Sequence, residues 1–229
     1  MQYLNFLNER GVILMIEKTV AGLHAHLFNL FESIVGNAKK KSILDIGCGS
    51  GAWLDRVKIL GFNRMVGIDY IQPKAVSGLE LMRFDINHDA PNSLGQFDVI
   101  SCIEVIEHIE NIGNLLDLIK DALNKDGLAC VTTPNIESLR ARVRAVVSGR
   151  IPSFDSKSDP THLCPVLRDS LQKMLSRRNL AIAEVHQYPL EKSKSLMFGA
   201  PVSIASSLLR PLFPDDLYGD NTIYIVKHA

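Results

Sequence analysis

Leu44-Asp-Ile-Gly-Cys-Gly-Ser-Gly-Ala52 is the stretch that decides the reading of this chain. A short apolar run, 42–46, reads as a buried strand. It stops at Gly47, Gly49 and Gly51, just before a helical stretch. Glycine in such a turn permits positive φ and lets a bound molecule lie close to the backbone. In an open α/β sheet, ligands sit at the carboxyl ends of the strands, where this turn belongs.

Outward from it, strands and helices alternate. Residues 51–60 read as a helix closed by Gly61. Strands are expected at 64–69, 81–84 and 96–102. A helix at 113–123 and an Asn-Lys-Asp-Gly turn at 124–127 precede a fifth strand at 128–133, stopped by Pro134. A helix at 167–176 and strands at 180–186 and 222–227 complete the series. Upstream, Leu23, Leu27, Leu30, Phe31 and Ile34 recur at helical spacing within 15–36. This alternation implies an α/β fold with a mainly parallel sheet covered on both faces.

Composition narrows the class. The 229 residues carry 25 Lys+Arg and 25 Asp+Glu, and zero net charge excludes a strongly basic nucleic-acid module. No apolar run approaches the ~18–20 residues of a membrane span. Four scattered cysteines without a CxxC pair exclude a zinc ribbon or thioredoxin motif, and Cys48, Cys102 and Cys130 read as buried thiols of a cytoplasmic protein. The expected organisation is one domain over 1–229, with an N-terminal extension and helix at 1–36. Residues 1–14 read as poorly ordered, with Met15 opening the helix. Connections at 135–165 and 188–221 read as substrate-facing elaborations. The apolar stretch 197–213 reads as core or as a lid over the acceptor site, with a membrane contact or a homodimer interface as the other readings.

Two ligands compete for the glycine turn. Gly47-x-Gly-x-x-Ala52 fits a dinucleotide fingerprint, with Asp69 about 20 residues on. A carboxylate at Asp45, however, sits badly beside a pyrophosphate. It suits a nucleoside carrying an ammonium and a sulfonium, namely S-adenosylmethionine, and disfavours a nicotinamide-dependent oxidoreductase. Asp69 ends its strand where it can accept both ribose hydroxyls. Asp85 follows the third strand where it can accept from an adenine amino group, with Ile86 against the ring.

Leu44-Asp-Ile-Gly-Cys-Gly-Ser-Gly, Gly67-Ile-Asp, Phe84-Asp-Ile, Phe97-Asp-Val-Ile, Glu104-Val-Ile-Glu-His-Ile and Thr132-Thr-Pro-Asn together resemble class I S-adenosylmethionine-dependent methyltransferases, particularly the quinone-biosynthesis O-methyltransferase type. The resemblance implies a three-layer, Rossmann-like, seven-stranded sheet in the order 3-2-1-4-5-7-6, the last strand antiparallel. It implies Asp45 and Gly47, with Cys48 and Gly49, near the methionine end of the cofactor. Asp69 and Tyr70 fall at the ribose, Asp85 and Ile86 at adenine, and backbone around Cys102 and Ile103 beside the sulfonium.

Glu104, Glu107 and His108 would share one face of a short helix next to the reacting methyl group. Such ligands suit Mg²⁺ or Mn²⁺, with His162 as a fourth. The quinone-type enzymes, and the enzymes that 2′-O-methylate small-RNA ends, use a Glu-x-x-Glu-His metal site. In the RNA enzymes a distant His after a Thr-Pro-Asn-like motif completes it, as Thr133-Pro-Asn and then His162 would here. A metal-free role for His108 as general base with Glu107, and a purely structural role for the run, stay open. Arg140, Arg142, Arg144 and Arg150 read as a solvated helix face or as phosphate contacts. His24, His26 and His228 read as surface residues, and His88 and His186 as structural. The expected activity is O-methylation of a small phenol, quinone precursor or sugar. An RNA 2′-O-methyltransferase and a non-catalytic cofactor-binding scaffold are the alternatives.

Overall fold

The computed structural model describes residues 19–86, 88–89, 94–189 and 218–229. Expectations for residues 1–14, Met15 and 197–213 fall outside them. One sheet contains β1 (Ser42–Ile46), β2 (Arg64–Asp69), β3 (Glu80–Arg83), β4 (Phe97–Ile103), β5 (Leu123–Pro134), β6 (Leu180–Tyr188) and β7 (Asn221–His228), in the order β3-β2-β1-β4-β5-β7-β6. β1 to β5 pair in parallel, whereas β7 runs antiparallel to both β5 and β6.

Successive side chains of a strand point to opposite faces, so a strand covered on both sides must be apolar throughout. In β1, Leu44 and Ile46 face one core and Ile43 the other. The first core is closed by α3 (Ile112–Ala122) and α5 (Arg168–Ser176), through Leu115, Leu116, Ile119, Leu171 and Leu175. The second is closed by α1 (Leu23–Ile34) and α2 (Ala52–Val57), through Leu27, Phe31, Trp53 and Leu54. Order reverses between β1 and β4, and the carboxyl ends of both open onto the same crevice.

Three local expectations need correction. Among the described residues α1 starts only at Leu23, where left-handed Gly22 (φ 82°) caps it. Residues 124–127 form no free turn: β5 runs through them, with the register slipping between Phe97 and Val99. Asn124 Nδ2 donates to Asp98 Oδ1 (2.8 Å) across this irregularity. His24 is buried rather than on the surface, its ring 5.4 Å from that of Trp53.

Within 135–165 a helix, α4 (Leu139–Ser148), is capped by Ser138, whose Oγ accepts from Ala141 N–H. The solvated-face reading of its arginines fails for two of them. Arg144 meets Asp155 at 2.6 Å and Arg140 meets Asp220 at 3.3 Å, and both side chains are largely covered. Cys48, Cys102 and Cys130 are buried free thiols and Cys164 is half-buried. No helix of the described residues is long and apolar enough to cross a membrane.

Candidate active site

The glycine turn leaves β1 with Gly47, Gly49 and Gly51 all at positive φ. Gly47 N–H and Cys48 N–H both donate to the Ile68 carbonyl, which draws the turn over the end of β2. A Cβ at Gly47 would collide with Val105, so the residue is needed for space as well as for φ. A Cβ at Gly49 would meet nothing within 4 Å, which leaves the outer side of the turn open to a ligand.

Asp69 lies directly below. One of its oxygens accepts from Gly49 N–H (2.9 Å) and the other from Ile71 N–H (3.0 Å), tying β2 to the turn. Tyr70 beside it is exposed. Asp45 is 3% exposed and accepts a 2.7 Å bond from Ser101 Oγ. Burial pushes its carboxyl up to about 7, against the Ser101 bond and with help from the Asp69 charge. Asp85 Oδ2 pairs with His88 Nδ1 (3.1 Å), and Ile86 packs half-buried on the core. Cys102 and Ile103 are buried at the end of β4, leaving backbone as the surface they offer.

The Glu-x-x-Glu-His run departs from the expected helix. Only Ile106–His108 form a single 3-10 turn, and Glu104 sits before it at φ 54°, a left-handed conformation rare for a side chain of this size. That turns Glu104 aside. Its carboxylate accepts from Thr132 Oγ1 (2.8 Å) and Asn221 Nδ2 (2.6 Å), and burial raises its pKa to about 6. The expectation of four converging ligands is therefore corrected to three.

Glu107, His108 and His162 do converge, each offering one ligand atom within 4.8 Å of the others. Glu107 is fully buried, and neither carboxylate oxygen makes a hydrogen bond of full geometry, although the Thr133 hydroxyl and the residue's own N–H lie close enough to favour its charged form in part. Burial first, and then the charge of Glu104, raise its pKa well above the carboxylate range. The Glu107 carbonyl accepts from Leu163 N–H and Cys164 N–H, which brings the segment carrying His162 against the 3-10 turn.

The two imidazoles lie edge to face, centroids 4.7 Å apart. His162 Nδ1 donates to the Ser153 carbonyl (2.8 Å) and His108 Nδ1 to that of Thr161 (3.1 Å), so each Nε2 keeps its lone pair. Burial, and then the neighbouring His162, lower the pKa of His108 and keep it neutral. Ser101, Asn221 and the carbonyls of Ser153 and Thr161 carried no local sequence signal, and Thr132 stood out only as part of Thr132-Thr-Pro-Asn. They act only because strands and loops distant in sequence meet here.

A buried carboxylate without a hydrogen bond of full geometry, facing two oriented imidazoles, can hold a divalent cation. Comparison with known proteins agrees with the fold. Residues 19–185 match the family described as Methyltransferase domain. Ubiquinone biosynthesis O-methyltransferase of Rickettsia conorii is 31% identical over 114 residues, 46% of this chain and 39% of that protein. A tRNA U34 carboxymethyltransferase of Campylobacter jejuni is 32% identical over 127 residues, 49% of this chain and 42% of that protein. The chain thus spans less than half the length of these two curated relatives. A SAM-dependent methyltransferase from Archaeoglobus fulgidus superposes with a TM-score of 0.62 at 19% identity, over 90% of this chain and 94% of that one, a likeness of fold. With the family match covering most of its length and the glycine turn at the sheet's reversal point, the chain belongs to the class I S-adenosylmethionine-dependent methyltransferases.

Proposed function

We propose that the chain transfers the methyl group of S-adenosylmethionine to a hydroxyl oxygen of a small molecule, with Glu107, His108 and His162 holding a divalent metal ion beside the acceptor. The observation that carries this reading is Glu107, a fully buried carboxylate with no charged partner and no hydrogen bond of full geometry, within 4.8 Å of ligating atoms of His108 and His162. A buried, unpaired carboxylate costs several kcal/mol unless a proton or a cation meets it. With one ring nitrogen each of His108 and His162 within 4.8 Å of a Glu107 carboxylate oxygen, a cation fits the donor set.

The transfer is an in-line displacement. The acceptor oxygen bonds to the methyl carbon, the sulfur keeps the electron pair of the broken bond, and the hydroxyl proton leaves. Positioning supplies most of the acceleration. Asp69 and the glycine turn would hold the cofactor's nucleoside, with Asp45 near its cationic end and Asp85 and Ile86 at the base. When bound, the metal would favour the deprotonated form of the acceptor hydroxyl. Ser153 and Thr161 keep the two imidazoles in the ligating tautomer.

The test is calorimetric titration of Mn²⁺, then Mg²⁺, into chelator-treated protein saturated with S-adenosylhomocysteine, paired with methyl-transfer assays on catechols, single phenols and sugars. One saturable metal site, lost in Glu107→Gln, and metal-dependent product from a hydroxyl acceptor are expected. Metal-independent transfer would leave His108 as the base and overturn the metal. The likeness to a tRNA-modifying relative supports RNA as a second acceptor class, and transfer to RNA with none to small hydroxyls would establish it.

A further inference from the structure

Ser101 is a polar interruption in an apolar strand. β4 runs through Val99, Ile100, Cys102 and Ile103, all buried, and Ser101 among them is fully covered. A hydroxyl in such a place is destabilising unless it finds a partner. The sheet register supplies one. β1 and β4 flank the point at which strand order reverses, and Asp45 of β1 stands opposite Ser101 of β4. Both fall on the face of the sheet that carries Ile43, Val99 and Ile103.

Ser101 Oγ has one proton to donate. Asp45 Oδ1 lies 2.7 Å away and the Leu44 carbonyl 3.4 Å, so the proton goes to Asp45. The other groups that act on Asp45 do not take this part. Asp69, at the end of β2, repels its charge. Cys48 in the glycine turn, Cys102 in β4 and Cys130 in β5 lie within reach of that charge, and burial raises all three thiols, so they stay neutral. Among the described residues no cation acts on Asp45, and Ser101 is the one group that favours its charged form. The bond also orients the carboxylate. With Oδ1 held by Ser101, Oδ2 is the oxygen left for a ligand.

We infer that Ser101 is a positioning residue for the cofactor, its hydroxyl holding the Asp45 carboxylate in the orientation that meets the ammonium of the methionine end. Ser101 has this role only if Asp45 meets the cationic end of the cofactor, as proposed above, and experiment separates the two. Fully covered, Ser101 touches neither cofactor nor acceptor and acts through Asp45. A carboxylate held in advance loses little freedom when the cation arrives, which strengthens binding without a new contact.

The experiment compares S-adenosylhomocysteine with 5′-methylthioadenosine by calorimetry; the second keeps the nucleoside and thioether and lacks the ammonium. At pH 7, Ser101→Ala is expected to weaken S-adenosylhomocysteine about five-fold or more, the scale of a hydrogen bond to a charged group, and to leave methylthioadenosine unchanged. Unchanged binding of methylthioadenosine, with an unchanged melting temperature, reports that the fold and nucleoside site are intact. Wild-type affinity for S-adenosylhomocysteine should rise with pH as Asp45 loses its proton at about 7. Without the Ser101 bond that proton is held more tightly, so the Ser101→Ala curve should be displaced to higher pH. In an Asp45→Asn background, Ser101→Ala should weaken binding no further. Equal weakening of both ligands, an undisplaced pH curve, or a full Ser101→Ala effect on top of Asp45→Asn would overturn the inference. If Asp45→Asn weakens S-adenosylhomocysteine and Ser101→Ala does not, the inference falls and Asp45 keeps its place at the cofactor. Wild-type affinity in Asp45→Asn would remove both.

Discussion

Asp45 shows how one side chain serves two requirements. Its place before the glycine turn was legible in the sequence, and so was a preference for a cationic ligand. Its 3% exposure and its bond from Ser101 were not, because Ser101 reaches it only through the pairing of β1 with β4. Burial raises its carboxyl to about 7, so the folded chain holds this proton more tightly than the unfolded chain. The group's contribution to stability is therefore fully present below the ordinary carboxylate range near 4 and is lost as pH rises through about 7. That loss is at most about 4 kcal/mol. Asp45→Asn should remove the dependence, giving a cofactor-free protein whose urea midpoint changes less than the wild type's between pH 5 and pH 8. An equally steep decline in the variant would show that Asp45 does not titrate in this window. Cofactor affinity should fall in the same variant, since the buried negative charge is gone.

At the scale of elements, three strands set Glu104. It follows β4, Thr132 belongs to β5 and Asn221 opens β7, and the two partners satisfy both carboxylate oxygens. Asn221 belongs to a wider buried polar junction at the same strand ends. There Asn135 Nδ2 bonds Gln187 Oε1 (3.0 Å), and Thr222 Oγ1 bonds the same oxygen (3.0 Å). Asn221→Ala would leave Glu104 Oε2 buried without a donor, with an expected loss of about 2–3 kcal/mol in chemical denaturation. The left-handed backbone at Glu104 depends on the same anchors, so metal affinity at Glu107, His108 and His162 should weaken as well. A variant with unchanged stability would mean that water replaces the amide. The sequence suggested that Glu104, Glu107 and His108 line one helical face. Periodicity at i, i+3 and i+4 holds only inside a helix, and the left-handed residue before the 3-10 turn breaks it.

For the whole molecule, the proposed ion links the end of β4 to the loop that carries His162. Both must be folded for the three ligands to meet, so the ion binds the folded state alone and stabilises it by mass action. At a hundred-fold excess over its Kd this amounts to about 2.7 kcal/mol. Mn²⁺ should accordingly raise the melting temperature of chelator-treated wild type by several degrees and leave Glu107→Gln unmoved. The same variant should be more stable than the metal-free wild type, increasingly so at alkaline pH, because a neutral amide replaces a buried carboxylate that must otherwise ionise. No metal-dependent shift in the wild type would remove the ion from the proposal. The sequence by itself determined the sheet, its strand order through the family resemblance, and the glycine turn. Strand burial, glycine at positive φ and carboxylates at strand ends are local demands that leave local marks. The family layout had suggested His162 beside Glu107 and His108; tertiary structure alone decided that Glu104 leaves that set for Thr132 and Asn221, across loops whose paths no local periodicity encodes. Packing decided too that Arg140 and Arg144 are paired, since a partner such as Asp220 is separated in sequence from the arginine it neutralises and is brought to it only by the closure of β7 onto β5.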